Sequence, residues 1–178
     1  MNLQDVKYIN EQRLSVLHPV LFKRANDFLE VLEAGGIEVL ITQGFRSWED
    51  QARLYAQGRT APGPEVTKAQ PGYSWHQFAL AFDCVPVDQV KDLQGALREQ
   101  ADWNVQHPAW QRMLIVGAGF HLSEGASWRT FKDYPHFYPE GLPDTPPDEV
   151  RALYHSGAIP AIWKWAEARF VTGLGLHG

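Results

Sequence analysis

The stretch "PGYSWHQFALAFDCV", Pro71 to Val85, sets Asp83 inside the apolar run Phe78–Val85, with His76 seven residues before it. A carboxylate among buried residues is costly unless something positive pairs with it. A salt bridge, a polar cap or a metal ion shared with the histidine would each meet that cost. Taken as a strand, Ala79 to Val85 alternates its faces. Ala79, Ala81, Asp83 and Val85 then share one face, and Leu80, Phe82 and Cys84 the other. The bulky face suits a core. The Asp83 face is lined by alanines, leaving room for something the strand does not supply. His76 lies just before the strand, where a turn could swing its imidazole over that face. Neutral imidazole and carboxylate oxygen are both good zinc ligands. Two ligands do not make a site, and a buried Asp paired with Arg, or a histidine satisfied by backbone, stays open.

Outward from this stretch, the chain alternates helical and strand patterns. "LHPVLFKRANDFLEVLEAGG" has Leu17, Leu21, Ala25, Phe28 and Leu32 on one helical face, Pro19 in its first turn and Gly35–Gly36 at its end. "IEVLIT", Ile37 to Thr42, is short, β-branched and apolar on both faces, a covered strand. "SWED", Ser47 to Asp50, has the capping-box form and starts a helix that stops at Gly58. Gly58 to Tyr73 holds three prolines and three glycines, a long loop of the kind more often functional than idle. After the Ala79–Val85 strand, Val87 to Glu99 reads as a polar helical stretch, and another helix follows Pro108. "FHLSEGASWRTFKDYPHFY" reads as short strands and turns. Pro143 to Pro147 breaks the chain before two terminal helices, Asp148–His155 and Ile159–Phe170. The expected class is α+β, with helices flanking a small, mostly antiparallel sheet.

At 178 residues the chain suits one domain, 1–178, with a single core. A hydrophobic fraction of 44% and an aromatic fraction of 12% belong to a globule rather than a disordered chain. The net charge of −5, without runs of one sign, argues against nucleic acid as a partner. The single cysteine, Cys84, excludes an intramolecular disulfide and a Cys cluster around zinc. No signal-peptide pattern opens the sequence and no apolar run approaches a membrane helix, so synthesis in the cytoplasm without membrane insertion is expected.

Two further clusters bear on the chemistry. "FKDYPHFY" carries Asp133, Pro135 and His136. Pro135 limits the backbone before His136, which helps hold a ligand's direction. Asp133, three residues upstream, falls on the opposite face of an ideal strand and reaches the same site only if the chain bends; a surface turn with an exposed aspartate is the alternative. In "TQGFRSWEDQ", Arg46 sits between a strand end and a helix cap, where it would bind a carboxylate or stabilise oxyanion charge, or else serve as a structural arginine.

Together these pieces resemble a known superfamily. "SWHQFALAFD" is similar to the S-x-H-x-x-G-x-A-x-D signature of the zinc D-Ala-D-Ala carboxypeptidases, and "DYPHF" resembles their second metal motif. "GFRSWEDQARLYAQGRTAPGPEVTKAQPGYSWH", "GFHLSEGASWRTFKDYPHF" and the tail "VRALYHSGAIPAIWKWAEARF" resemble the branch holding the phage L-alanyl-D-glutamate peptidase endolysins, from about Leu14 to Phe170. The resemblance implies zinc held by His76, Asp83 and His136, Asp133 as general base, Arg46 contacting substrate and stabilising charge at the scissile carbonyl, and Ser74 on the substrate side. It also implies a hedgehog-like peptidase fold, and the length of the chain is expected to leave no room for a separate wall-binding domain. The expected activity is a zinc endopeptidase on peptidoglycan stem peptides at L-Ala–D-Glu, with a D,D- or L,D-carboxypeptidase as the alternative and a non-catalytic zinc module as a second class. The expected protein is a monomer that acts on the wall after release or export, through a holin or another export partner if it is a phage lysin.

Two departures from the motifs stand out. The motif glycine is Ala79, expected to take an ordinary backbone conformation and narrow the pocket floor. The usual W-G-G segment is "LSEG", Leu122 to Gly125, which changes one cleft wall. Glu124 is a fallback base. Strand alternation turns Cys84 away from Asp83, so it reads as a buried thiol rather than a cysteine-peptidase nucleophile. Tyr73, Trp75, Trp128 and Phe137 either line a groove or pack the core. His18, His107, His121, His155 and His177 default to surface or capping roles, with His121 closest in sequence to the implied site. No paired-carboxylate site for sugar cleavage presents itself.

Overall fold

A reciprocal cap starts the first helix: the Asp5 amide donates to Asn2 Oδ1 while the Asn2 amide donates to Asp5 Oδ2, and α1 runs Leu3–Leu14. This is a computed structural model, and it describes residues 1–157 and 159–170. Helix α2, Pro19–Ala34, follows with Pro19 in its first turn and buries Leu21, Ala25, Phe28 and Leu32. Its cap is His18, whose Nδ1 accepts from the Val20 amide at 3.2 Å. His18 is therefore a capping histidine, but a buried one. The remaining elements are β1 Val39–Gln43, α3 Trp48–Ala56, a 3-10 turn Trp75–Phe78, β2 Phe82–Lys91, β3 Leu97–Ala101, α4 Pro108–Gly119, β4 Leu122–Gly125, β5 Asp133–Pro139, α5 Asp148–His155 and α6 Ile159–Glu167.

The strands form one antiparallel sheet ordered β1-β2-β5-β4, with β3 paired to the far half of β2. The α+β expectation holds. One face of the sheet meets α2 and α4 through Phe28, Phe82 and Phe137, and the Phe82 and Phe137 rings stack at 5.6 Å. A second apolar cluster joins Trp75, Phe78 and Leu80 to Val150, Ile162 and Ala166 of α5 and α6. Asp83 and His136 are paired across β2 and β5.

Strand β1 is an edge, and its free backbone groups are covered by α1. Asn10 donates to Val39 O and accepts from the Ile41 amide, both at 2.7 Å, and Arg13 donates to Ile41 O. An exposed edge of this kind invites pairing with another strand, and a side-chain amide removes the opportunity.

Four expectations change. Val87 to Glu99 is a β-hairpin rather than a helix, because Asp92 Oδ1 accepts from the Gln94 and Ala96 amides and closes a turn through Gly95, which has φ +79°. The strand at Ala79 begins only at Phe82, since the residues from Trp75 form a 3-10 turn. Ala79 itself is left-handed, with φ 57° and ψ 33°, not in an ordinary conformation. Ala79 and Ala81 pack into the two apolar clusters, so neither lines a pocket floor beside Asp83. A left-handed residue ends the turn and redirects the chain, which is why a motif written with glycine occupies this position. His177 lies outside the described residues.

Candidate metal centre and its cleft

His76 sits in the 3-10 turn and is 1% exposed; Asp83 is the second residue of β2, and His136 lies beside it on β5. His76 Nε2 lies 3.0 Å from Asp83 Oδ1, His136 Nδ1 lies 3.0 Å from the same oxygen, and the two nitrogens are 3.1 Å apart. Three potential ligand atoms, two from one short stretch and the third from more than fifty residues on, thus form a small triangle.

The protons decide what this triangle can hold. His76 Nδ1 lies 2.7 Å from Gly44 O. A carbonyl only accepts, so Nδ1 carries the hydrogen and a neutral His76 presents the lone pair of Nε2 to Asp83. A lone pair against a carboxylate oxygen at this distance is repulsive unless a cation sits between them. A carbonyl holding the outer ring nitrogen is also the usual orientation of a metal-ligating histidine. Ligand atoms on one tetrahedral ion with bonds of roughly 2.1 Å stand about 3.4 Å apart, so the triangle needs only a slight opening to fit. The donor set therefore suits a divalent transition metal. Burial alone would push the Asp83 carboxyl up; positive charge on the two imidazoles, in the place a bound cation would otherwise take, holds it well below the usual carboxylate range.

Gly44 is required here for close approach. A β-carbon on it would lie 2.2 Å from Arg13 O at the end of α1, which would displace the very carbonyl that orients His76. Gly125 plays a similar part on the other side. A β-carbon there would stand 3.0 Å from Asp133 Cβ and 3.3 Å from His136 Cβ. The register between β4 and β5 slips at this point, with Glu124 opposite Phe137 but Gly125 opposite Asp133. That bulge supplies the bend that ideal alternation lacks and brings Asp133 to the same cleft as His136. Burial, then the nearby Asp83 charge, raises the Asp133 pKa, while His136 and Arg46 oppose the rise.

Arg46 contacts Asp83 Oδ2 at 3.4 Å, too long for a strong hydrogen bond, and donates to Gln51 Oε1 at 3.0 Å. Gln51 is fully buried and passes the contact on, donating through Nε2 to Ala69 O at 2.7 Å. The ion pair and the backbone-satisfied histidine that offered a bland explanation of Asp83 are thus both present, alongside the triangle rather than instead of it. Around the centre opens a cleft of ≈ 1150 Å³ whose lining includes Arg46, Lys68, Ser74, His76, Asp83, Trp128, Asp133 and His136.

Of the candidate groove aromatics, Tyr73 and Trp128 line the cleft, Trp75 borders it while packing in the second apolar cluster, and Phe137 belongs to the core. The Trp128 ring lies 5.1 Å from that of His136 and its Nε1 points to Tyr138 OH at 3.4 Å. Tyr138 donates in turn to Asp144 Oδ1 at 2.8 Å, and burial pushes its phenol up to about 12, so it remains a donor. Glu124 and His121 are not among the cleft-lining residues; His121 pairs with Glu140 at 2.9 Å. His107 caps α4, and His155 sits edge-on to Trp48. Cys84 is fully buried with its thiol pushed well up by burial, as befits packing rather than nucleophilic attack. Sequence reasoning missed Gln51, Lys68 and the Tyr138–Asp144 pair. Only Gln51 left a trace, a polar residue one turn into a helix beside Arg46.

An α+β domain whose cleft floor gathers two imidazoles and a carboxylate, with a further acid and an arginine beside them, has the make-up of a metal-dependent hydrolase. The chain belongs to the family described as VanY, D-alanyl-D-alanine carboxypeptidase, which matches residues 14–124. It is 37% identical over 123 residues to the peptidoglycan L-alanyl-D-glutamate endopeptidase CwlK of Bacillus subtilis, covering 68% of this chain and 72% of that one. Two solved structures share the fold. The L-Ala D-Glu endopeptidase ChiX of Serratia marcescens has a TM-score of 0.50 at 20% identity, covering 74% of this chain and 86% of its own. A point mutant of the vancomycin-resistance D,D-pentapeptidase VanY, from a VanB-type cassette and in complex with Zn(II), has a TM-score of 0.50 at 15% identity, covering 82% of this chain and 83% of its own.

Proposed function

We propose that this protein is a zinc peptidase of peptidoglycan stem peptides, cutting between L-Ala and D-Glu. The observation that carries the reading is the triangle of His76 Nε2, Asp83 Oδ1 and His136 Nδ1 with the His76 proton turned outward to Gly44 O. The bond it cuts is supported by the likeness to CwlK. Zinc held by these three groups would supply Lewis-acid activation of water and of the scissile carbonyl at neutral pH.

The chain's own residues do the rest. Asp133, its proton affinity raised by burial, accepts the proton of the attacking water and returns it to the departing amine of D-Glu. Arg46, held loosely at Asp83 and firmly at Gln51, meets the negative charge that grows on the carbonyl oxygen. Ser74 offers its hydroxyl to the substrate from the cleft wall.

Asp133→Asn tests the assignment. It should keep bound zinc, read by metal analysis, and lose hydrolysis by at least about 100-fold. A variant that keeps its rate would sink the general-base role and favour a binding module. The family description favours one second reading, removal of a terminal D-Ala. Mass spectrometry of defined muropeptides, with and without a chelator, separates them: peptides with a new D-Glu amino terminus mark the endopeptidase, and loss of D-Ala alone marks the carboxypeptidase.

A further inference from the structure

The cleft holds three cations with different commitments. Arg46 is engaged by Gln51 and Asp83. Lys68 and Arg129 line the same cleft, and neither has a carboxylate partner among the described residues. Lys68 is the better placed. It lies on the irregular stretch 58–73, yet the backbone on either side of it is fixed. Arg59 donates to Thr67 O at 3.0 Å, Gln51 donates to Ala69 O at 2.7 Å, and the Ala69 amide donates to Thr67 Oγ1 at 3.2 Å. Its ammonium sits 5.7 Å from the centre of the Phe131 ring, two residues before Asp133. The lysine thus crosses from one wall to the segment that carries the proposed base. Arg129, by contrast, follows Trp128, whose ring is turned towards His136 and Tyr138.

We propose that Lys68 is a specificity residue that binds the free α-carboxylate of the D-glutamate on the leaving side of the scissile bond. The inference rests on the endopeptidase reading above. In a stem peptide the glutamate continues through its γ-carboxyl, so its α-carboxylate stands on the same carbon as the departing amine. Asp133 delivers the proton to that amine, which puts the carboxylate on the Asp133 side of the cleft, where the Lys68 ammonium lies. An ammonium over an aromatic ring, with no carboxylate partner among the described residues, keeps its charge and has donors to spare for a carboxylate. The same carboxylate amidated, as in D-isoglutamine, would offer no charge to this lysine.

The experiment compares L-Ala-γ-D-Glu-L-Lys with the matching D-isoglutamine peptide on the zinc-loaded wild type, Lys68→Met, Lys68→Arg and Arg129→Met. The wild type should prefer the carboxylate by about tenfold in kcat/KM, carried mainly by KM, the low end for a charge-assisted hydrogen bond at an accessible position. Lys68→Met, which keeps the apolar stem over Phe131, should bring the ratio to near one. Lys68→Arg should restore most of it, and Arg129→Met should leave it. Equal rates for the two peptides in the wild type, a ratio that survives Lys68→Met, or a ratio that collapses only in Arg129→Met would each overturn the assignment while leaving the endopeptidase intact. Failure to cut either peptide at L-Ala–D-Glu would overturn both.

Discussion

The floor of the cleft and its long wall are held in place by opposite means. His76, Asp83 and His136 project from a short turn and two paired strands whose neighbours Phe82, Cys84 and Phe137 are almost wholly buried. Residues 58–73 have almost no regular structure, and side chains tie them down one backbone group at a time. The Gly72 amide, for instance, donates to buried Gln77 Oε1 at 2.6 Å. Apolar packing spreads over many contacts and yields little to any single polar change; a wall pinned at a few points yields a great deal. Chemistry that tolerates no misplacement belongs on the floor, and selectivity that tolerates adjustment belongs on the wall.

Removing a floor ligand should have the largest effect. His136→Ala should lose bound zinc and reduce hydrolysis by at least about 1000-fold with little change in circular dichroism; metal analysis and muropeptide mass spectrometry check this. Retention of zinc and rate would end the distinction between floor and wall. Gln51 joins the two regions. Gln51→Ala strands Arg46 and the Ala69 carbonyl together, so a stability loss of about 1–3 kcal/mol is expected, read by thermal unfolding. Hydrolysis should fall by roughly 10-fold or more as Arg46 loses its direction. Ala79→Val would force a β-branched side chain into a left-handed conformation and cost about 2 kcal/mol, while Ala79→Gly should stay within about 1 kcal/mol of the wild type. Thr67→Val loses a single wall contact, with an expected cost near 0.5–1 kcal/mol and a KM effect larger than any on kcat. Smallest of all, iodoacetamide should leave native Cys84 unlabelled and hydrolysis unchanged, with labelling only after denaturation.

The same contrast governs what could be read in the sequence. Leu21, Ala25, Phe28 and Leu32 recur at helical spacing and are all buried, so α2 was legible, although Leu17, expected on the same face, is buried just ahead of the His18 cap. His76, Asp83 and His136 were legible by resemblance, and the structure brings them together. Val87–Glu99 misled because Val87, Val90, Leu93 and Leu97 recur every three or four residues like a helix face, although Leu93 is fully exposed at the hairpin turn. The deciding interaction is local, Asp92 closing on its own downstream amides. Asp133 could not be placed because a strand bulge sets its direction, and that bulge depends on Gly125 of another strand. Helix α1 went unread since its buried stripe is Val6, Asn10 and Leu14, with a polar residue in the middle.

That asparagine has a consequence for solubility. By occupying Val39 O and the Ile41 amide it behaves as a one-residue decoy strand. A chain shortened to begin after Ser15 would present those groups, with Leu40 and Ile41 alongside, as a template for its own copies. Such a fragment is expected to grow into strand-to-strand assemblies that bind thioflavin T, and the chain that keeps α1 is expected not to.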